Sequence, residues 1–330
     1  MSESDGYAKT GVGTHLTVGG ERGPMAESRT VVRNPQSGDG KRTRQARDIA
    51  LDRGYEVLDS HGGEHTAELA AEAADRSEVV VACGGDGTLN DVVRGVRSAD
   101  RLDDVTLGVI PAGTGNDFAD NVGIRGVKHA FEVIETDERR RLDLGLANGQ
   151  PFLNSCVGGL TAESSARTSS DLKRRLGVLA YVLTTFSMVR NFEALELHVT
   201  AGPERNPVWT GDALMLLVGN GRRFPGERMR QANMEDGRMN VVIIEDLPTL
   251  KYLSRGAADR LLRRGADYLT RIKVSHLHVT HDGDPVQFSL DGRMIETNEL
   301  VADSEPKAMR FLVAPSYDPN PPEPPGGRNR

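Results

Sequence analysis

The stretch that most limits how this chain can fold is Glu78–Cys83 (EVVVAC), a near-continuous apolar run ending at Gly84-Gly85-Asp86-Gly87-Thr88. Leu89, Val92, Val93 and Val96 then recur at helical spacing. A strand without polar alternation must be covered on both faces, which points to a parallel sheet with helices on each side. The flanking segments keep that rhythm. Thr30–Arg33 reads as a strand, Lys41–Arg53 as a helix, Tyr55–Leu58 as a strand, Thr66–Arg76 as an alanine-rich helix and Thr106–Ile110 as a buried strand. The expectation is an α/β domain with an open, mostly parallel sheet.

From about Arg141 strand-like runs dominate: Arg141–Ala147, Pro151–Val157, Ala194–Thr200, Asp212–Val218, Met239–Ile244, His276–Thr280, Val286–Leu290 and Phe311–Val313. Short strands with glycine and proline punctuation predict a β-rich second domain, read as a β-sandwich. Helical segments are expected to interrupt it at about 171–191 and 249–272. The division is a flexible tail over 1–28, an α/β domain over 29–140 joined by 308–317, a β-sandwich over 141–307, and a disordered tail over 318–330. The glycine-rich start and the proline-rich end lack any periodicity.

With 330 residues the chain is long enough for two domains, and no run approaches the ~20 apolar residues needed to span a bilayer. The N-terminus lacks the pattern of a signal peptide, so a cytoplasmic protein is expected. Cys83 and Cys156 each lie in an apolar run without metal-ligand spacing, which predicts two buried thiols. A net charge of -7 argues against a general nucleic-acid binder.

Three glycine-rich loops fall at the carboxyl ends of predicted strands, the edge where open parallel sheets bind ligands. They are Asn34-Pro35-Gln36-Ser37-Gly38-Asp39-Gly40, Gly84-Gly85-Asp86-Gly87-Thr88 and Gly113-Thr114-Gly115-Asn116-Asp117. Glycines allow close backbone approach to phosphate, and helix starts supply unpaired N–H groups. Thr88 and Thr114 add hydroxyls. Asp86 would repel phosphates unless a divalent cation lies between, or unless it faces the attacking hydroxyl. Neither a GxxxxGK[ST] loop nor GxGxxG behind a strand occurs. Backbone amides and a metal would therefore have to neutralise the phosphates.

At these residues the sequence resembles the diacylglycerol kinase family, in particular its soluble bacterial and archaeal lipid kinases, which are related to sphingosine kinases. The matching text is NPQSGDGK (34–41), GGDGTLNDVVRG (84–95), GVIPAGTGNDFAD (108–120), NSCVGGLTAE (154–163), VGNGRRFPG (218–226), ANMEDGRMNVVII (232–244) and LDGRMI (290–295). The resemblance implies an ATP- and Mg²⁺-dependent kinase that phosphorylates a lipid hydroxyl, diacylglycerol or a related alcohol, in a cleft between the two domains. It implies nucleotide contacts from Asn34 to Gly38, from Gly84 to Thr88, from Asn90 and from Thr114. It also implies a structural magnesium near Asp236, with backbone carbonyls of Arg238 and Met239.

One departure bears on mechanism. The family's Asp-Gly-Glu, whose glutamate is assigned as base, is Asp291-Gly292-Arg293 here. Either Asp291, Glu296 or Asp86 takes the proton, or positioning and metal suffice, or the chain is a nucleotide-binding regulator that has lost kinase activity. A kinase for a soluble substrate such as NAD is a further alternative. Residues 251–273 carry seven basic and two acidic side chains and read as a basic amphipathic helix suited to peripheral contact with anionic lipid. No nucleic-acid partner is expected, and a homodimer is an open alternative.

Overall fold

The computed structural model describes residues 27–159, 194–223, 230–246 and 269–320. Most of both expected tails, the helical segment at 171–191 and most of 251–273 lie outside these residues. The described ends are held: the Ser28 N–H donates to Glu78, and the Asn233 amide donates to Asn320.

The first half builds the parallel sheet. β1 (Arg29–Arg33) lies between β2 (Glu56–Asp59) and β3 (Val79–Gly84), and β4 (Thr106–Pro111) flanks β3, all parallel. Every residue of β3 and β4 is buried, as the apolar runs require. Around the sheet lie α1 (Lys41–Asp52), α2 (Glu64–Arg76), α3 (Asp86–Ser98), α4 (Asp117–Asn121) and α5 (Val127–Thr136), with α1 against α5 and α2 against α3. The α2–α3 packing is tight enough to need a missing side chain. A Cβ on Gly95 would fall 2.1 Å from the Ala67 carbonyl oxygen, which is backbone and cannot swing aside. Gly95→Ala is therefore expected to cost about 3 kcal/mol of stability, read as a lowered midpoint in chemical denaturation.

The second half is antiparallel: β5 (Arg139–Ala147), β6 (Gln150–Phe152), β7 (Ser155–Gly159), β8 (Leu195–Ala201), β9 (Asn206–Gly219), the short pair β10 (Arg222–Arg223) and β11 (Arg230–Gln231), β12 (Met239–Glu245), β13 (Leu269–Val274), β14 (His276–His281), β15 (Val286–Leu290), β16 (Arg293–Thr297) and β17 (Glu299–Leu312). Among the described residues 15 strands form one mixed sheet. β17 ties its halves together. Its first part pairs with β14, its end runs parallel to β4, and β5 lies antiparallel along both, with a register shift between Glu305 and Met309. Two apolar cores result. One packs Phe118, Phe131 and Phe311 under the parallel strands, and the other gathers Phe152, Leu197, Val241, Leu277 and Phe288.

Two expectations need correction. Pro151–Val157 is not one strand, because the N–H groups of Leu153, Asn154 and Ser155 turn to the Asp291 carboxylate. The end of the expected 249–272 helix is strand β13, paired along β12 from Ile244↔Leu269 to Met239↔Val274. Its alternation decides this: Arg271 and Lys273 are exposed while Ile272 and Val274 pack on the second core. Among the described residues no helix is long and apolar enough to cross a membrane.

Candidate active site

The loops after β1, β3 and β4 converge on one open pocket of about 450 Å³. Asn34, Ser37 and Gly38 come from the first loop. Gly85, Asp86, Gly87, Thr88 and Asp91 come from the second loop and the start of α3, and Gly113, Thr114 and Gly115 from the third. Parallel strands put all three loops at one sheet edge, and backbone bonds fix their spacing: the Asn34 N–H donates to the Cys83 carbonyl and the Ala112 N–H to that of Gly84. The glycines are needed because the loops touch backbone to backbone. A Cβ on Gly38, which has φ of +62°, would meet the Ala112 oxygen at 2.6 Å, and one on Gly85 would meet the Gly115 oxygen at 2.9 Å. Asn116 shapes the third loop by accepting from the Gly113 N–H and donating to its carbonyl. The first turn of α3 faces this pocket with N–H groups that a helix cannot pair internally, a natural seat for an anion.

Pro35 and Gln36 shape the first loop without lining the pocket, and the Gln36 N–H donates to the Asn34 side chain. Asn90 is buried behind the pocket and donates to the Pro151 carbonyl and to Asp291. Asp86 is occupied by donors: its carboxylate accepts from the Asp117 N–H at 3.0 Å, the Phe118 N–H at 2.9 Å and the Asn154 amide at 3.2 Å. It thereby holds the start of α4, which explains a carboxylate beside an anion seat without an intervening cation.

Asp291 sits at the β15–β16 turn, with φ of +50° followed by +103° at Gly292, the positive-φ pair that a two-residue hairpin turn demands. Its carboxylate accepts from Leu153 at 2.6 Å, Asn154 at 3.0 Å, Ser155 at 2.9 Å and the Asn90 amide at 3.3 Å. Burial pushes its pKa up, and the N–H groups of Ser155 and Leu153 oppose that. Glu296 is exposed on β16, across from Gln287 and outside the pocket. Arg293 is exposed too, with its guanidinium 3.8 Å from Glu64.

The residues expected to hold a structural magnesium do not fit one. Asp236 is ion-paired with Lys273 and accepts the Arg238 N–H at 3.1 Å. The neighbouring Asp143 carboxylate accepts N–H groups from Gly237 at 2.6 Å and Lys307 at 2.8 Å, and burial raises its pKa. Met239 is buried at the start of β12, and among the described residues no three acidic, His or Cys side chains cluster around a metal position. An ammonium already supplies the positive charge, so Asp236, Arg238 and Met239 are a structural tie rather than a cation cage.

Three side chains escaped the sequence reading. Arg42 places its guanidinium 3.3 Å from the Gly113 carbonyl, bringing a cation to the third loop. The signal for it in the sequence is its place two residues beyond the first glycine loop. Arg222 pairs with Asp117 and faces Asp86 and Asp291; burial lowers its pKa and those carboxylates oppose the shift. Asp91 lines the pocket, and the signal for it was its place one helical turn beyond Thr88. Cys83 and Cys156 are buried free thiols, and burial raises the Cys83 pKa to about 12.

A three-loop glycine pocket at the carboxyl edge of parallel strands, within one mixed sheet flanked by helices, defines an α/β protein. Residues 28–147 match the family model for the diacylglycerol kinase catalytic domain. The chain is 34% identical over 253 residues to the "Probable lipid kinase YegS-like" of Pseudomonas aeruginosa strain UCBPP-PA14, covering 74% of this chain and 80% of that one. It is 32% identical over 230 residues to the diacylglycerol kinase of Staphylococcus haemolyticus, covering 67% of this chain and 68% of that one. Among solved structures, a diacylglycerol kinase from Bacillus anthracis aligns with a TM-score of 0.64 and 18% identity over 88% of this chain and 98% of that one, a likeness of fold. The chain belongs to the diacylglycerol kinase family.

Proposed function

We propose that the chain moves the γ-phosphoryl group of Mg²⁺-complexed ATP onto the hydroxyl of a lipid alcohol such as diacylglycerol. The observation that carries this reading is the convergence of three glycine loops and the start of α3 on one pocket. Family membership supplies the reaction class. The backbone N–H groups of Gly85, Gly87 and Thr88 and the hydroxyls of Thr88 and Thr114 would receive the triphosphate, with Arg42 adding positive charge at the rim. Phosphoryl transfer through a loose transition state asks a protein chiefly for position and charge compensation. The donors around Asp86 and Asp291 suit that task, because they lock α4, the β15–β16 turn and residues 153–155 around the pocket. The antiparallel half would act as a β-sandwich domain closing the far side of the cleft. Contact with a lipid surface through the basic residues of 251–273 is part of the same reading.

The test is to incubate the full chain with γ-labelled ATP, Mg²⁺ and phosphatidylglycerol vesicles containing dioleoylglycerol, then to resolve the lipids. Labelled lipid phosphate is expected, with no label passing to NAD. A chain that binds Mg²⁺–ATP but labels no lipid would instead be a nucleotide-binding regulator, the reading that Arg293 in place of an acid favours.

A further inference from the structure

We infer that Asp91 accepts the proton of the alcohol being phosphorylated. This deepens the lipid kinase reading and rests on it. The carboxylates near the glycine loops are not equivalent. Asp86 and Asp291 are each surrounded by backbone and amide donors that occupy their oxygens and leave little room for an alcohol O–H. Asp117 is paired with Arg222, and Glu296 lies outside the pocket.

Asp91 is also ion-paired, with Arg94, but it lines the pocket, as Asp117 and Glu296 do not. It lines the pocket beside Gly87 and Thr88, its side chain keeps 20% of its surface exposed, and its hydrogen bond among the described residues comes from Arg94 at 3.1 Å. Arg94 is held from the other side by both oxygens of Glu64 at 2.7 Å. Arg293 completes the group, 3.8 Å from Glu64 and with its charge reaching Asp91. Two carboxylates and two guanidiniums therefore balance. A glutamate at position 293 would set three carboxylates against a single guanidinium, so the arginine there keeps the group balanced in charge. Burial raises the Asp91 pKa, Arg94 and Arg293 lower it, and Glu64 raises it. A carboxylate lifted above its ordinary range is a better proton acceptor near neutral pH.

In the step, the alcohol O–H gives its proton to Asp91 as its oxygen bonds to the γ-phosphorus. The bond from that phosphorus to the β–γ bridging oxygen breaks, its electron pair leaves on ADP, and Asp91 returns the proton to solvent.

The test compares the full wild-type chain with Asp91→Asn and Asp91→Glu, using Mg²⁺–ATP and the dioleoylglycerol vesicles. For Asp91→Asn, kcat should fall about 100-fold, and the acidic limb of the kcat/KM profile should disappear. The Kd for Mg²⁺–ATP should stay within about threefold of wild type. Arg94 keeps Glu64 in that variant, so the fold should survive, as a thermal midpoint will show. Asp91→Glu keeps the charge and should retain activity with a shifted acidic limb. Superimposed wild-type and Asp91→Glu limbs, or an Asp91→Asn variant with near wild-type kcat, would overturn the inference alone. So would a loss confined to nucleotide affinity, which would make Asp91 a nucleotide contact. A wild type that binds Mg²⁺–ATP but labels no lipid would overturn the kinase reading and this inference with it.

Discussion

Gly113→Ala is expected to weaken Mg²⁺–ATP binding roughly 100-fold, a loss of about 2.7 kcal/mol, measured by titration calorimetry. A Cβ at position 113 would lie 2.4 Å from the Gly85 Cα and 2.7 Å from the Gly85 nitrogen. Both are backbone atoms, so the loops after β3 and β4 must part. Because these loops supply much of the pocket wall, parting them misplaces the N–H groups that would face the phosphates. Gly87→Ala offers an instructive comparison, since a Cβ there meets nothing within 4 Å. That variant should melt like wild type, yet bind ATP more weakly, because Gly87 lines the pocket and an added methyl takes up space there. Wild-type affinity in both variants would mean that phosphates are not held between these loops.

Asp291→Ala is expected to destabilise the protein by about 4 kcal/mol, more than a loss of chemistry alone would require. Three successive backbone N–H groups, those of Leu153, Asn154 and Ser155, end on this one carboxylate, together with the Asn90 amide. Removing it strands buried donors, each costing about 1–3 kcal/mol unless water enters. Asp291→Asn keeps one accepting oxygen and should lose roughly half as much. Urea denaturation followed by circular dichroism gives both values. A fully stable Asp291→Ala protein that has lost only activity would show that the clamp is not structural and would return Asp291 to the chemistry.

Much of this architecture was legible because it rests on local pattern. The apolar part of the Glu78–Cys83 run could only be a strand covered on both faces, and β3, Val79–Gly84, is buried along its length. The three glycine loops were visible because close backbone approach leaves glycine as the residue that fits. α5 carries the same kind of signal, with Val127, Ala130, Phe131, Val133 and Ile134 spaced for burial and buried. The tail of the expected basic helix was misassigned because Leu269–Val274 follows a helical composition closely, and only its pairing with β12 selects the strand. Asp-Gly at 291–292 reads as chemistry in the sequence, whereas its backbone angles serve a hairpin turn.

The order of apolar runs and glycines along the chain, by itself, determined a parallel sheet with its loops gathered at one edge, since strand burial and backbone approach depend on neighbouring residues. Tertiary structure alone decided what each charge does. Asp86 meets the start of α4, Asp291 meets residues 153–155, Asp236 meets Lys273, and Asp91 meets the pocket. A carboxylate's role is set by the donors and the dielectric around it, and those arrive from segments far away in sequence.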